Sequence, residues 1–488
     1  MTEPCDLTAT EARRLIGRKA LSPVELTESC IARTEALDHA VNAMVARDFE
    51  RARAAAHVAE AAVQSGDALG LLHGLPVGVK DLENTEGLRT TYGSELFRDH
   101  VPAADDAIVA RVRAAGGIVL GKTNTPEWGA GANTRNRVYG ATGNPFDPTR
   151  SAAGSSGGSA VALACGMVPL ATGSDTGGSL RNPAAFCGIA GFRPSPGLVP
   201  SERRLVGWSP LPVLGPMARN IADMRLLLRA IAAQDDRDPL SGPLPDLAHR
   251  PADLAHIRAA FSPDLGFAPV EHGVASTFAE RIASFRSAFA TSADATPDCT
   301  GADEAFAVLR AVGVLAAHLD RVRRHPAQVG PNVTANVEEG LRYSAADVAR
   351  AETLQTTLYR RWQHFFAEYD VLITPAITIS PRPWSELYPR AINNVPTQSY
   401  YHWLALAYAP TLAGHPAVAL PCGLDAAGMP FGLQLVGRRG GDAEVLAVAE
   451  ALEALLATDP RTARPAPDLA RLASAPPISA MPGFLELA

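Results

Sequence analysis

Two serine clusters flanked by glycine lie close together in the first half of the chain. The first spans residues 154–159 (Gly-Ser-Ser-Gly-Gly-Ser) and the second residues 174–179 (Ser-Asp-Thr-Gly-Gly-Ser). Glycine at this density lets the backbone turn sharply and approach a ligand closely, at an entropic cost that an ordinary surface loop has no reason to carry. The apolar stretch 160–170 between the clusters predicts burial rather than a flexible linker. The two clusters therefore predict a reaction centre built on serine hydroxyls.

Lysine is rare in this chain, which carries nearly all of its positive charge as arginine. Of the 44 basic residues, only Lys19, Lys80 and Lys122 are lysines. Arginine cannot lose its proton in a protein, whereas a buried lysine can become neutral and act as a base. Because Lys80 follows the apolar, strand-like run 75–79, we expect its side chain to be buried. Lys80 is therefore a candidate general base for a serine nucleophile.

These motifs, with others along the chain, resemble the amidase signature family. The segments that carry the resemblance are 73–81 (HGLPVGVKD), 121–124 (GKTN), 154–159, 175–179, 185–188 (AFCG), 414–417 (GHPA) and 428–434 (GMPFGLQ). The resemblance covers nearly the whole chain. It implies an α/β fold in a single large domain, with a central mixed β-sheet covered by helices on both faces. It also implies an amidohydrolase that cleaves carboxylic amide C–N bonds, which we expect to be those of small apolar or aryl amides.

By the same resemblance, Lys80, Ser155 and Ser179 form a catalytic triad. Ser179 is expected to be the nucleophile that carries the acyl-enzyme, and Ser155 the bridging serine that relays protons between nucleophile and lysine. Lys80, when neutral, is expected to accept the proton during attack and return it to the departing nitrogen. Serine-lysine pairs are an accepted variant of the serine triad.

Amide hydrolysis also needs N–H donors for the developing oxyanion. Ser179 is predicted at the start of a helix, where successive backbone N–H groups can converge on an anionic oxygen. The donors expected for this oxyanion hole are the backbone amides of Thr176, Gly177, Gly178 and Ser179. Asp175 and Arg181 flank the nucleophile, and we interpret both as structural support that holds the glycine turn by charge-assisted hydrogen bonds.

Substrate binding is expected at the loop that contains Trp128, Gly129, Ala130 and Gly131. The small side chains there leave room for a wide acyl group, so this loop is predicted to set the accepted acyl size. Three tryptophans in loop-like segments, with two tyrosines near the last of them, suggest an apolar and partly aromatic pocket. They are Trp208, Trp384 and Trp403, with Tyr400 and Tyr401.

Two local motifs point to other protein classes but stand in the wrong context. Residues 116–123 fit the P-loop expression, yet the strand-like run lies inside the motif instead of before it. Residues 154–158 fit a nucleophile elbow, yet no apolar strand leads into them. A non-catalytic or nucleotide-binding α/β protein remains the alternative of another class. Hydrolysis of carbamates (urethanes) or esters by the same triad remains the alternative within the class.

The segment 191–195 (GFRPS) departs from the Gly-Leu-Lys-Pro-Thr run that is common in the family. The Tyr-Gly that follows this run in the tRNA-dependent amidotransferases is missing as well. Both departures favour a stand-alone hydrolase over glutamine-dependent amidotransfer.

The overall composition limits the classes of binding partner that the sequence predicts. A formal charge of -7 and an isoelectric point near 6.0, without basic runs, give no electrostatic footprint for nucleic acid or for an anionic membrane. Six scattered cysteines without paired metal spacing predict a reduced, cytoplasmic setting, and no metal or cofactor is expected. The expected partner is a small-molecule amide substrate, and a homodimer is left open.

Alternation of short apolar strands with helices predicts the sheet that positions these residues. We expect strands at 75–79, 118–120, 168–171, 371–375, 417–420 and 432–436, and helices at 22–38, 49–64, 106–114, 158–165, 302–320 and 346–369, with a late helix capped by Asp442. The single domain, 1–488, is divided into an N-terminal helical part (1–66), a signature core (67–232), a variable substrate-pocket region (233–410) and C-terminal strands, helix and tail (411–488). Residues 232–300 are expected to be rich in loops.

Overall fold

Short apolar runs of the chain pair into one central β-sheet in the computed structural model, which describes residues 3–486. Within that range the sheet has eleven strands. In chain order they are β1 (Met44–Arg47), β2 (Pro76–Lys80), β3 (Ile118–Thr123), β4 (Leu170–Asp175), β5 (Ala190–Arg193), β6 (Val213–Ala218), β7 (Arg258–Phe261), β8 (Thr291–Asp294), β9 (Val371–Pro375), β10 (Ala417–Leu424) and β11 (Pro430–Val436). Two-stranded ribbons lie apart from the sheet at 135–141, 143–151 and 391–396.

The sheet is mixed, as predicted. Its spatial order is β1-β3-β2-β4-β6-β5-β10-β11-β9-β7-β8. β2 pairs in parallel with β3 and β4, and β7 pairs in parallel with β8 and β9. The strands between these two groups, and β1 at the edge, pair antiparallel. Because β2 and β4 are parallel neighbours, their carboxyl ends meet at one edge of the sheet, and those ends carry Lys80 and Asp175.

Helices flank the sheet. In residues 3–486 there are fourteen α-helices: α1 (Ala9–Gly17), α2 (Pro23–Val41), α3 (Phe49–Ser65), α4 (Ala107–Ala114), α5 (Gly157–Ala164), α6 (Arg181–Cys187), α7 (Ile221–Ile231), α8 (His272–Phe285), α9 (Ala302–Arg324), α10 (Pro331–Gly340), α11 (Ala345–Glu368), α12 (Ala405–Leu412), α13 (Asp442–Leu456) and α14 (Leu469–Ala473).

Local capping chemistry explains where the N-terminal helices begin and end. Ser22 accepts from the backbone of Glu25, the Glu25 carboxylate accepts from the Ser22 backbone, and proline occupies the first helical position of α2. Asn42 ends α2 and Gly66 ends α3, each in the left-handed conformation. Ser22 and Glu25 therefore form a capping box at the start of α2.

The structure adds to one sequence-based expectation and corrects another. The segment 232–300, expected to be rich in loops, also contains β7, α8 and β8; β8 is a polar edge strand without a buried face, so it has no alternating apolar pattern. Asp442 does not cap α13 but is its first residue, after Gly441. Its buried carboxylate accepts a hydrogen bond from the Ser195 amide instead (2.8 Å).

One hydrophobic core extends through the described residues, from Cys5 near the start to Leu472 in α14. It joins the N-terminal helices, the sheet and the C-terminal helices, as expected for a single large domain. No helix in residues 3–486 is both long and apolar enough to cross a membrane.

Candidate active site

Lys80 is the last residue of β2, and its side chain is completely buried. Its Nζ donates to three hydroxyl oxygens: Ser155 Oγ at 2.8 Å, Ser156 Oγ at 2.8 Å and Ser174 Oγ at 2.9 Å. Its backbone N–H donates to Thr172 Oγ1 of the neighbouring strand (3.1 Å). The ammonium group thus has a hydroxyl partner for each of its three protons.

The two serine clusters meet at this lysine. The Gly154–Ser155 peptide bond is cis, and α5 begins two residues later, at Gly157. The backbone N–H of Ser156 donates to the backbone oxygen of Ser179 (3.3 Å). The structure therefore brings Lys80, Ser155 and Ser179 into one neighbourhood.

Burial sets the protonation state of Lys80. Loss of hydration lowers the pKa of this amine from 10.5 to about 7, against the opposing pull of the Glu83 and Asp175 carboxylates. A lysine in this environment can exchange a proton near neutral pH, which an exposed lysine cannot do. Glu83 is itself buried, and burial raises the pKa of its carboxyl group.

A buried ion-pair cluster shapes the turn that carries Ser179. Asp175 binds Arg181 through both carboxylate oxygens (2.9 and 3.0 Å) and also contacts Arg193 (3.2 Å). It accepts from the backbone amides of Gly178 and Leu180 as well (2.9 and 3.1 Å). Burial alone would raise the pKa of Asp175, but the two arginines and these amides hold it well below its usual range. Asp175 and Arg181 thus make charge-assisted hydrogen bonds of the kind predicted to hold the glycine turn.

The backbone amides of this turn differ in whether they already have a hydrogen-bond acceptor. The Gly178 N–H is taken by Asp175. For the N–H groups of Thr176, Gly177 and Ser179, residues 3–486 offer no hydrogen-bond acceptor. Helix α6 begins at Arg181, two residues later than Ser179. Three of the four predicted oxyanion donors are therefore available to a ligand, and Gly178 is not.

Ser179 lies between two cavities. The larger has a volume of about 930 Å³ and is bordered by Ser155, Ser174 and Ser179 together. The smaller, about 140 Å³, is also bordered by Ser179. Trp128 and Gly129 line both cavities, whereas Ala130 and Gly131 line only the smaller one. The predicted substrate-binding loop thus faces the space next to Ser179.

The aromatic wall of the smaller cavity is only partly the expected one. Tyr400 and Tyr401 line it together with Phe306. The three tryptophans expected there lie elsewhere: Trp208 is 77% exposed, Trp384 packs in a separate cluster with Ala141 and Ile478, and Trp403 is in the main core. The pattern of loop aromatics did not distinguish pocket residues from packing residues, because both are set by long-range contacts.

Lys122 and His415 make structural contacts, and neither borders the two cavities. Lys122 is buried in β3, and its Nζ donates to the backbone oxygen of Glu83 and to Thr85 Oγ1 (2.9 Å for the latter). The motif that resembles a P-loop is therefore a strand. His415 Nδ1 donates to the Gly437 oxygen (2.7 Å), and burial lowers the pKa of its ring to about 4.

A group of side chains that could ligate a metal lies near the N-terminus. In the described part of the chain, the one group of metal-ligating side chains close enough to share an ion is Glu3, Cys5 and Asp6. Arg33 pairs with both of these carboxylates (2.8 and 3.0 Å). The group is thus a surface ion-pair cluster, and it shares no residue with either cavity.

Two residues of the site were not singled out from the sequence. Ser174 is the third hydroxyl partner of Lys80, and Glu83 lies in the wall of the larger cavity. Thr172 and Ser174 are two positions apart on β4 and both contact Lys80, so strand periodicity was the available signal for Ser174. Glu83 follows the predicted strand by a few residues, in a turn where no periodicity applies.

Comparison with known proteins places this geometry in a family. The family model described as "Amidase" matches residues 25–446. The acylamidase of Rhodococcus erythropolis is 34% identical, over 92% of this chain and 95% of its own. A glutamyl-tRNA(Gln) amidotransferase chain of Chloroflexus aggregans is also 34% identical, over 96% of this chain and 100% of its own. The crystal structure of a bacterial aryl acylamidase of the amidase signature family superimposes with a TM-score of 0.86 at 26% identity, covering 92% of this chain and 96% of its own. The chain belongs to the amidase signature family and is an amide-hydrolysing enzyme.

Proposed function

We propose that this protein hydrolyses carboxylic amides through an acyl-enzyme on Ser179, with Ser155 as the proton relay and Lys80 as the base. One observation carries the proposal: a fully buried lysine donates to Ser155 Oγ at 2.8 Å, in the wall of the cavity that Ser179 also borders. A solvated lysine would stay charged at neutral pH and could not act as the base.

The first half of the reaction moves two protons in relay. Ser179 Oγ attacks the amide carbonyl carbon, its proton passes to Ser155 Oγ, and the Ser155 proton passes to neutral Lys80. The carbonyl oxygen gains the negative charge. The free amides of Thr176, Gly177 and Ser179 are the donors available to stabilise it.

The second half returns the proton. As the C–N bond breaks, the leaving nitrogen takes a proton from Ser155, which is refilled from protonated Lys80, and the acyl group stays on Ser179 as an ester. Water then attacks this ester by the same route, which frees the carboxylic acid and restores the Ser179 hydroxyl. The hydroxyls of Ser156 and Ser174 keep the Lys80 amine oriented throughout.

The cavities support small apolar or aryl amides as substrates. Ser179 stands between a cavity of about 930 Å³ and one of about 140 Å³, so the two parts of an amide can occupy unequal spaces on either side of the reacting carbon. The structural likeness to an aryl acylamidase favours an aryl group in one of them. Carbamates and esters present the same carbonyl carbon and are the second candidate class.

The test is active-site trapping followed by peptide mapping. A fluorophosphonate should label one serine, Ser179, and a Ser179→Ala protein should remain unlabelled. Ser156→Ala is a matched control, because this serine contacts the same lysine but is assigned no covalent role. Labelling of Ser155 or Ser156 in place of Ser179, or hydrolysis of a p-nitroanilide by Ser179→Ala at the wild-type rate, would overturn the proposal.

A further inference from the structure

The larger cavity beside Ser179 has four arginines in its wall, and three of them are already neutralised. Each of the three contacts one carboxylate: Arg203 contacts Asp106, Arg204 contacts Asp238 and Arg310 contacts Glu339. The fourth, Arg321, has no carboxylate within ion-pair distance among residues 3–486. It is the cavity arginine whose charge the described chain leaves without a counter-ion.

Arg321 is held in place by one edge of its guanidinium group only. Its Nη1 donates to the Ala317 oxygen, one helical turn back in α9, and to His318 Nδ1 (3.3 Å). The guanidinium carbon lies 5.2 Å from the ring centre of Trp128 and 6.0 Å from that of Phe97, which is a cation–π arrangement. No hydrogen bond within residues 3–486 uses Nε or Nη2. The two donors that form the natural carboxylate-binding edge therefore remain open.

The neighbours of Arg321 neither neutralise its positive charge nor add a second positive charge beside it. Burial, with Arg321 next to it, lowers the pKa of His318 to about 4, so the ring is neutral at physiological pH. Within residues 3–486 the cavity wall has three acidic groups, and none of them pairs with Arg321. Asp106 pairs with Arg203, Glu202 accepts from the amide of Ala107 (2.8 Å), and Glu83 interacts with Lys122 and Lys80.

A purely structural role for Arg321 would be to stabilise the C-terminus of α9. Cations in the last turn of a helix interact favourably with its dipole. Arg323 and Arg324 lie in the same last turn and provide that charge without bordering either cavity. The helix end therefore does not require Arg321 to face the cavity that holds Ser179.

We propose that Arg321 binds a carboxylate group carried by the substrate, so that the preferred amides are anionic at the end that occupies the larger cavity. This inference rests on the proposed function, since it names the substrate class of the same site. The open Nε–Nη2 edge matches the two oxygens of a carboxylate, and stacking on Trp128 keeps the guanidinium plane fixed. A charge-assisted pair of this kind changes binding by about tenfold to hundredfold.

The experiment compares matched anilides that differ only in one charge. The first pair is N-(4-nitrophenyl)succinamic acid and its terminal primary amide, which place the carboxylate on the acyl side. The second pair is 4-acetamidobenzoate and 4-acetamidobenzamide, which place it on the amine side. The quantity measured is the ratio of kcat/KM for the anionic to the neutral member of each pair.

We expect a ratio of about ten or more for at least one pair in the wild type, and a ratio near one in Arg321→Gln. Arg321→Lys should fall between, because lysine keeps the charge but not the planar two-donor edge. Arg324→Gln is the matched control, since Arg324 is in the same helical turn, is 73% exposed and lies outside the cavity. A wild type that prefers the neutral member of both pairs, or an Arg321→Gln protein that keeps the wild-type ratio, overturns the inference.

A binding measurement separates this inference from the proposed function. Calorimetric titration of Ser179→Ala protein with the same four anilides requires no turnover. Tighter binding of an anionic member, lost when Arg321→Gln is added, supports the inference even if the wild type hydrolyses none of them, and that failure counts against the proposed function alone. Hydrolysis of the neutral anilides without charge discrimination in either readout supports the proposed function and refutes the role of Arg321.

Discussion

Replacement of Lys80 tests the proton relay most directly. The proposed base is fully buried, and burial lowers the pKa of its amine from 10.5 to about 7. This difference corresponds to about 5 kcal/mol by which the site favours the neutral amine relative to water. Lys80→Ala removes the base, and Lys80→Arg keeps a positive charge that cannot lose its proton. Both variants should lose about 100-fold to 10,000-fold in kcat for amides.

The direction of the pH dependence follows from the lowered pKa. Below pH 7 the amine is protonated and cannot accept the proton of the serine relay, so kcat/KM should fall about tenfold for each further pH unit. Above pH 8 the amine is neutral and the profile should level off. Aryl esters, whose leaving group needs no proton, should lose less activity than anilides in the Lys80 variants.

The assay is kcat/KM for a p-nitroanilide and for the corresponding p-nitrophenyl ester between pH 5.5 and 9. Because the chain has only three lysines, the titration of Lys80 can also be followed directly by carbon-13 NMR of labelled lysine side chains. Lys19→Arg is the control, since its Nζ donates to the Gln64 oxygen on an exposed surface.

Two results would refute this reasoning. A Lys80→Arg protein with near-wild-type anilide hydrolysis at pH 7 would mean that position 80 acts only as a fixed charge. A Lys80 NMR signal that titrates near 10 would mean that burial does not make this amine a base at neutral pH.

Three further predictions concern the surroundings of the triad. Glu83→Gln removes a carboxylate that raises the Lys80 pKa, so the rising limb of the pH profile should move to lower pH, and an unchanged or upward-shifted limb would contradict the assignment. Gly129→Ala should lower kcat for acetyl and bulky substrates alike, because Gly129 has a φ of +72° and an added Cβ would lie 3.3 Å from Ser155 Oγ. This differs from the effect expected if the loop only sets acyl size. Ala130→Val, in the smaller cavity, should instead raise KM for bulky substrates only, and kinetics with a series of acyl groups checks both variants. Asp175→Asn should cost about 3–5 kcal/mol of unfolding free energy in urea titrations, since it leaves two buried arginines without a full counter-charge, whereas Asp459→Asn at an exposed pair should leave the midpoint unchanged.

Local sequence signals predicted most of the architecture because they act over short distances. The capping box at Ser22, the glycine that ends α3 and the apolar run before Lys80 each depend on neighbours within a few residues. Six of the eleven strands of the central sheet lie at or near the predicted positions, although several extend two to four residues further, and β1, β5, β6, β7 and β8 were not predicted. The edge strand β8 was missed because its residues are mostly exposed and polar. Its extended conformation is fixed by pairing with β7 and not by an apolar pattern of its own.

The sequence by itself determined which groups could react. Two glycine-flanked serine clusters and one of only three lysines indicate serine–lysine chemistry, and the resemblance to the family singles out Lys80, Ser155 and Ser179 as the candidate triad. Only the tertiary structure decided what each group can do. The parallel pairing of β2 with β4 brings Lys80 within reach of Ser174 and buries it, and burial is what lowers its pKa. The free edge of Arg321 depends in the same way on side chains distant in sequence, since its charge becomes available only because no carboxylate among residues 3–486 comes near it.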